Sequence, residues 1–309
     1  AAPLSSLPFP SASAPKKYTE LLAIIAHEYF HAWNVKRIKP ASFLPYDLNC
    51  ENYTSLLWFS EGFTEYYEEV LLWRADLISK AELLERISAF FLKVYSQPGH
   101  KFQSLSASSF DTWIKLYRPD DNSLNTGVSY YTKGALAAFA LDLKIRASSN
   151  GKSSLDQAMT YLWEKASDGI LGLSENAQEI IEAVAEASGK SLSTASSWIH
   201  DLCLDTKSIP WNSLLEEEGL HLEASEKDFW RDTFGIQISQ ASINCTIASV
   251  TATGAAAQAG LLPGDELIAI DSLQLSKSNA DSLVHQLGNH EAEISFFRKG
   301  RLLSLKIKV

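Results

Sequence analysis

The sequence predicts two domains in succession, a mainly helical one followed by a small β-rich one. Apolar residues recur at helical spacing from residue 19 to about 205. The composition then turns acidic and polar over 216–228. Beyond that point, short runs rich in Ile, Val and Phe alternate with turn residues. The 309 residues suffice for two ordinary domains, and 46% hydrophobic against 21% charged residues can fill a core in each. The expected boundaries are a Pro/Ser/Ala-rich linker or truncated N-terminus at 1–17, a helical domain at 18–225 and a β-rich domain at 226–309.

The first helix is expected from Thr19 to Val35, where Leu21, Leu22, Ile24, Ile25, Tyr29 and Trp33 supply apolar faces and Pro40 marks the exit. Pro40, Pro45, Asp47 and Asn49 give a loop composition. A second helix is expected over residues 53–72 and a third over 80–95, ended by Pro98-Gly99. A short one follows at 106–117, and a long one at 128–146, buried on its Ala/Leu/Phe side. Further helical patterns occupy 153–165, 175–187 and 192–202. In the second domain, strands are expected at 235–239, 245–250, 266–271, 293–298 and 302–309, with a helix at 279–287.

Composition narrows the function. A formal net charge of −10 supplies no general attraction for nucleic acid or an anionic membrane. The longest aliphatic runs, LLAIIA and ALAAFAL, are far too short for an integral membrane segment. Three cysteines (Cys50, Cys203, Cys245) make neither a disulfide scaffold nor a Cys-rich zinc site. Low cysteine usage is compatible with a bacterial cytoplasm.

His27-Glu28-Tyr29-Phe30-His31 is an HExxH motif inside a helical pattern. Positions i and i+4 share a helix face, so His27 and His31 can offer two imidazole nitrogens to one Zn²⁺ ion, while Glu28 can act on a water beside it. A catalytic zinc takes a third protein ligand, and Glu61 is the best candidate. It sits amid Leu56, Leu57, Trp58, Phe59 and Phe63, where an unpaired carboxylate is costly. Gly62 would let helices approach closely. Glu65, one turn on, could accept the second N–H of a ligand His and fix its tautomer; otherwise Glu65, Glu68 and Glu69 read as a solvated face. Tyr130 and Tyr131, before Lys133-Gly134, are either packed aromatics or donors to a developing oxyanion.

The segments AHEYFHAWNVKRIKP (26–40), PYDLNCENYTSLLWFSEGFTEYYEEVLL (45–72) and SFDTWIKLYRPDDNSLNTGVSYYTKGALAAFALDLKIR (109–146) resemble the glycyl aminopeptidase family of zinc metallopeptidases, a gluzincin group with a C-terminal PDZ domain. The resemblance implies a thermolysin-like helical catalytic domain in which His27, His31 and Glu61 bind Zn²⁺ and Glu28 is the general base. It matches Tyr131, ahead of Tyr130, to the YxKG tyrosine that stabilises the tetrahedral intermediate. Members of that family also carry a β-rich N-terminal region and a Gly-rich, Glu-containing segment that holds the substrate amine. Neither is found here, which reads residues 1–17 as the edge of a larger enzyme.

The C-terminal part resembles a bacterial-type PDZ domain through AAAQAGLLPGDEL at 255–267. Phe234-Gly235-Ile236 stands at its carboxylate-binding loop, where a C-terminal peptide could add to the sheet. The expected function is therefore zinc-dependent peptide hydrolysis, acting at N-terminal Gly or Ala. The alternative is a PDZ-mediated peptide-binding protein with an inactive peptidase domain.

Overall fold

The computed structural model describes residues 15–166, 169–223, 228, 230–287 and 291–308. Of the Pro/Ser/Ala-rich stretch, 1–14 lie outside the described residues. The expected boundary at 225/226 also lies outside them, since 224–227 are not described. The chain forms two compact units, one mainly helical and one built on a sheet. The division is not a single cut, because Gln97–Gly99 and Pro119–Thr126 group with the sheet unit although they fall within the sequence of the helical one.

In the helical unit, α1 spans Pro15–Phe30, four residues earlier than periodicity suggests at its start and five earlier at its end. Lys17 is thus helical rather than linker. After Phe30 the chain leaves the helix through tight turns; His31 still donates its amide to the His27 carbonyl at 3.2 Å. The second expected helix is also shorter, because residues 53–56 are not helical and are tied down. Thr54 Oγ1 and the Ser55 amide both donate to Glu175, at 2.8 and 2.6 Å, and the Trp58 amide donates to Ser109 Oγ. Helical structure begins with a π-helical turn at Trp58–Gly62 and continues as α2, Phe63–Arg74.

α3 (Lys80–Tyr95) opens with a capping box in which Ser79 Oγ accepts the Glu82 amide and Glu82 reaches back to the Ser79 amide. α4 (Leu105–Phe110) stops where 106–117 reads as helix, and α5 is the single turn Ser123–Thr126. α6 (Thr132–Ser149) is buried nearly all round, which places it at the centre of the core. α7 (Leu155–Lys165), α8 (Gln178–Ser188), α9 (Leu192–Ile199) and α10 (Trp211–Glu216) complete the helices. One feature is absent from the helical reading: β1 (Ile38–Pro40) pairs in parallel with β2 (Leu171–Leu173). Runs of three residues between helices are too short for a periodic signal.

The helices cross closest at two glycines. A Cβ placed on Gly62 would stand 2.5 Å from Gly134 Cα and 2.8 Å from the Tyr130 carbonyl oxygen. One placed on Gly134 would stand 2.9 Å from both Gly62 Cα and the Trp58 carbonyl oxygen. Backbone packs on backbone here, so the turn carrying Glu61 is seated directly against α6.

The sheet unit has β3 (Ile236–Ile238), β4 (Cys245–Val250), β5 (Glu266–Ile270), β6 (Leu273–Gln274), β7 (Glu291–Arg298) and β8 (Arg301–Lys308). Their order is β3-β4-β5-β7-β8, with β6 paired to β5, and every described pairing is antiparallel. Two short helices, α11 (Ala255–Ala259) and α12 (Ala280–Gln286), accompany it. Phe234, Ile236, Ile247, Leu267, Ile294, Phe296 and Ile307 fill its own core. The buried Asp265 carboxylate is gripped by Arg298 at 2.7 Å from both Nε and Nη2, and it also receives the Leu262 amide.

Candidate metal centre

His27 stands on the last turn of α1 and His31 is the first residue beyond it, one turn on, and the π-helical turn brings Glu61 to both. Glu61 Oε2 lies 3.2 Å from His27 Nε2 and 3.3 Å from His31 Nε2. These three residues each offer a ligand atom within 4.8 Å of the others and could hold a metal ion. His27 Nδ1 pairs with Glu68 Oε2 at 2.8 Å, and His31 Nδ1 donates to the Asn34 carbonyl at 2.9 Å, which leaves both Nε2 atoms on the side of Glu61. Two imidazoles and one carboxylate match the donors zinc accepts.

Burial alone would depress His27, but hydrogen bonds and charge from Glu61 and Glu68 outweigh it and carry its pKa up to about 10. Glu61 shows the mirror image: burial opposes its charge, while the two imidazoles win and lower it to about 2. The carboxylate is therefore ionised at neutral pH, as a ligand must be.

The structure gives the His27 hydrogen bond to Glu68, not to Glu65, the residue that spacing favours. Glu65 stands beside it, with a carboxylate oxygen within 4.8 Å of a His27 nitrogen and a Glu68 oxygen. Burial and then the Glu68 charge push Glu65 up to about 7. Nor is this a solvated face. Glu69 is buried and pairs with Arg86, because α2 packs against both α1 and α3. Glu28 follows His27 on α1 and is exposed.

The two tyrosines separate cleanly. Tyr130 is 1% exposed and its hydroxyl accepts from Thr112 Oγ1 at 3.2 Å, a packed core residue. Tyr131, the last residue before α6, stacks on His27 with ring centroids 6.5 Å apart. Its hydroxyl lies 3.3 Å from that of Tyr117. Burial first, then the charge of Glu61, raise the Tyr131 phenol far above the usual range, so it remains a hydrogen-bond donor at neutral pH.

Sequence reasoning missed Asn34 and Tyr117. Asn34 is fully buried, and its Nδ2 donates to the Phe59 carbonyl (3.0 Å), the Ser60 carbonyl (3.2 Å) and Thr64 Oγ1 (3.3 Å). A π-helical turn leaves carbonyls without their α-helical donors, and Asn34 supplies them. Its main chain orients His31 while its side chain grips the turn that carries Glu61. A lone Asn after an HExxH motif gives no periodic signal, so only the structure shows this link. Arg37 and Lys133 prove to be braces: Arg37 donates to the Gly169 and Ala166 carbonyls, Lys133 to those of His100 and Gln103.

In the sheet unit, Phe234 and Ile236 are core residues flanking Gly235, whose φ is +73°. The Gly235 amide donates to the Arg231 carbonyl and its carbonyl accepts the Thr251 amide, so this amide is already committed within the fold. A groove of about 740 Å³ lies alongside, lined by Gln237 and Ile238 of β3, Ala280 and Asp281 of α12, and Lys277. Among the described residues, β3 is an end strand.

Comparisons with known proteins found one family likeness within the helical unit and a likeness of fold. The family profile described as M61 glycyl aminopeptidase matches residues 20–137, which contain His27, His31, Glu61 and Tyr131. No curated protein matches the chain. A crystal structure of an aminopeptidase N family protein from Idiomarina loihiensis superposes with a TM-score of 0.84 at 30% identity, over 98% of this chain and 52% of that one. The chain thus spans about half the length of that relative, and it has the fold of a glycyl aminopeptidase-like metallopeptidase.

Proposed function

We propose that the chain carries the catalytic core of a zinc-dependent peptidase that removes N-terminal residues, with Gly or Ala preferred. The observation that carries this is the convergence of His27, His31 and Glu61, each His held by a second partner. These residues would hold the ion, which when bound supplies Lewis-acid activation of water and carbonyl. Glu28, exposed beside them, takes the proton of the attacking water and returns it to the leaving amine. Tyr131, kept protonated, donates to the oxygen that gains charge. Glu68 holds the His27 Nδ1 proton and so fixes its tautomer.

The test is metal content and turnover on a panel of aminoacyl anilides. Wild type is expected to bind zinc stoichiometrically, Glu61→Ala to lose it, and Glu28→Gln to keep it while losing turnover. Unchanged zinc affinity in Glu61→Ala would refute the ligand set. Wild type that holds zinc and turns over neither aminoacyl substrates nor longer peptides would refute the peptidase.

A second reading concerns the sheet unit. The groove between β3 and α12 has the form of a site for an extended peptide added to the strand edge, as in a PDZ domain. Titration with fluorescent C-terminal peptides tests it; an absence of saturable binding across a random-sequence library would count against it.

A further inference from the structure

The chain after α4 folds back on itself through its own hydrogen bonds. The Asp111 carbonyl accepts the amides of Ile114 and Lys115 at 3.0 and 2.9 Å, and the Thr112 carbonyl accepts that of Tyr117 at 3.1 Å. Thr112 is buried, and its hydroxyl donates to that of Tyr130 at 3.2 Å. One residue thus fixes the main chain of Tyr117 beside the core tyrosine. Tyr130 stacks on Tyr131, with ring centroids 4.7 Å apart, and Tyr131 stacks on His27. Every residue in this series of contacts belongs to the helical unit.

The Tyr117 ring is 62% exposed and fills no core position, yet its hydroxyl lies 3.3 Å from that of Tyr131. A phenol carries one proton to donate, and its oxygen accepts. If Tyr131 gave its proton to Tyr117, none would remain for the oxygen that gains charge in peptide cleavage. With Tyr117 as donor, the Tyr131 oxygen is satisfied and its proton stays available to the substrate. Charge that draws on the Tyr131 proton then strengthens the bond from Tyr117, because hydrogen bonds in series polarise one another.

We propose that Tyr117 is a positioning residue: its hydroxyl donates to the Tyr131 oxygen, which keeps the Tyr131 proton directed at the substrate oxygen and makes Tyr131 the stronger donor as charge develops. This rests on the peptidase reading for its catalytic consequence, but not for the pairing of the two hydroxyls.

The test compares wild type, Tyr117→Phe, Tyr131→Phe and the double variant as full zinc-supplemented chains. Turnover, chelator competition and thermal melts are measured on each. Calorimetry adds the affinity for a phosphinic analogue of a Gly-Ala peptide, whose anionic oxygen stands in for the charged one. Tyr117→Phe is expected to lower kcat and analogue affinity about two- to tenfold, as befits one lost hydrogen bond. KM, zinc affinity and Tm should stay as in wild type. In the Tyr131→Phe background the same substitution should change neither kcat nor analogue affinity, since Tyr117 acts through Tyr131. An unchanged kcat in Tyr117→Phe, an equal further loss in the Tyr131→Phe background, or a raised KM at constant kcat would overturn the proposal. So would a Tm or zinc affinity that falls in step with kcat, the mark of a merely structural role. A wild type without turnover refutes the peptidase reading, and the analogue then decides the tyrosine pair alone: non-additive losses in affinity retain it, and additive losses or no binding overturn it.

Discussion

Replacing Asn34 by alanine separates the two segments that carry the candidate ligands. The substitution leaves the Phe59 carbonyl buried without Nδ2, at about 1–3 kcal/mol, and costs about 1 kcal/mol more at Ser60, whose carbonyl keeps the Thr64 hydroxyl. Against this, Asn34 Oδ1 has no hydrogen-bond partner in the native fold, and removing it recovers about 1 kcal/mol. The net loss is about 1–3 kcal/mol, or roughly 2–12 °C in Tm for a unit of this size. The His31 contact to the Asn34 main chain survives, so zinc affinity should fall through the Glu61 turn alone, by about tenfold or more. Asn34→Asp should be worse than alanine, since a carboxylate would face two carbonyls. Near-UV circular dichroism melts with and without zinc, together with chelator competition, measure both quantities. A Tm within 1 °C of wild type and an unchanged zinc affinity in Asn34→Ala would refute the reasoning.

Other outcomes follow from the same geometry. Gly62→Ala drives a Cβ into the backbone of Gly134 and should cost about 3 kcal/mol or prevent folding, read from chemical denaturation; a neutral effect would mean that the crossing is not tight. Arg298→Ala leaves the buried Asp265 carboxylate without its partner and should destabilise the sheet unit by about 2–4 kcal/mol, allowing for the partial exposure of Arg298; a melt like that of wild type would contradict this. Tyr66 and Tyr67 donate to Asp142 and Asp156, and burial, then those charges, raise both phenols well above 10. Folded pKa values above the unfolded one give stability that is complete below pH about 10 and lost as pH rises beyond it. Phenolate absorbance from these two rings should therefore appear only with unfolding, and Tyr66→Phe should flatten the alkaline loss; early titration in the native state would contradict the assignment.

Much of the fold was legible because its signals are periodic. α3 and β4 fall where spacing puts them, and the burial of α6 follows its Ala/Leu run. HExxH is local, so His27 and His31 could be paired from sequence, and Glu61 stood out as an acid in an apolar stretch. Glu68 did not stand out, because choosing it over Glu65 depends on the rotation of α2 against α1. The π-helical turn shifts the phase of every residue after Gly62, and no single-sequence period registers such a shift. Asn34 and Asn125 act through main-chain carbonyls and amides, which the sequence does not display. Residues 53–56 read as helix because their tether, Glu175, lies 120 positions from Ser55.

The discontinuity of the sheet unit also bears on the order in which the protein comes into being. During synthesis His27, His31 and Glu61 emerge early, and so does Asn125, but the Val250 carbonyl that Asn125 needs arrives 125 residues later. The strap from Pro119 to Thr126 completes its hydrogen bonds only after β4 has been made, so the sheet unit cannot close on itself until two distant stretches of chain are both present.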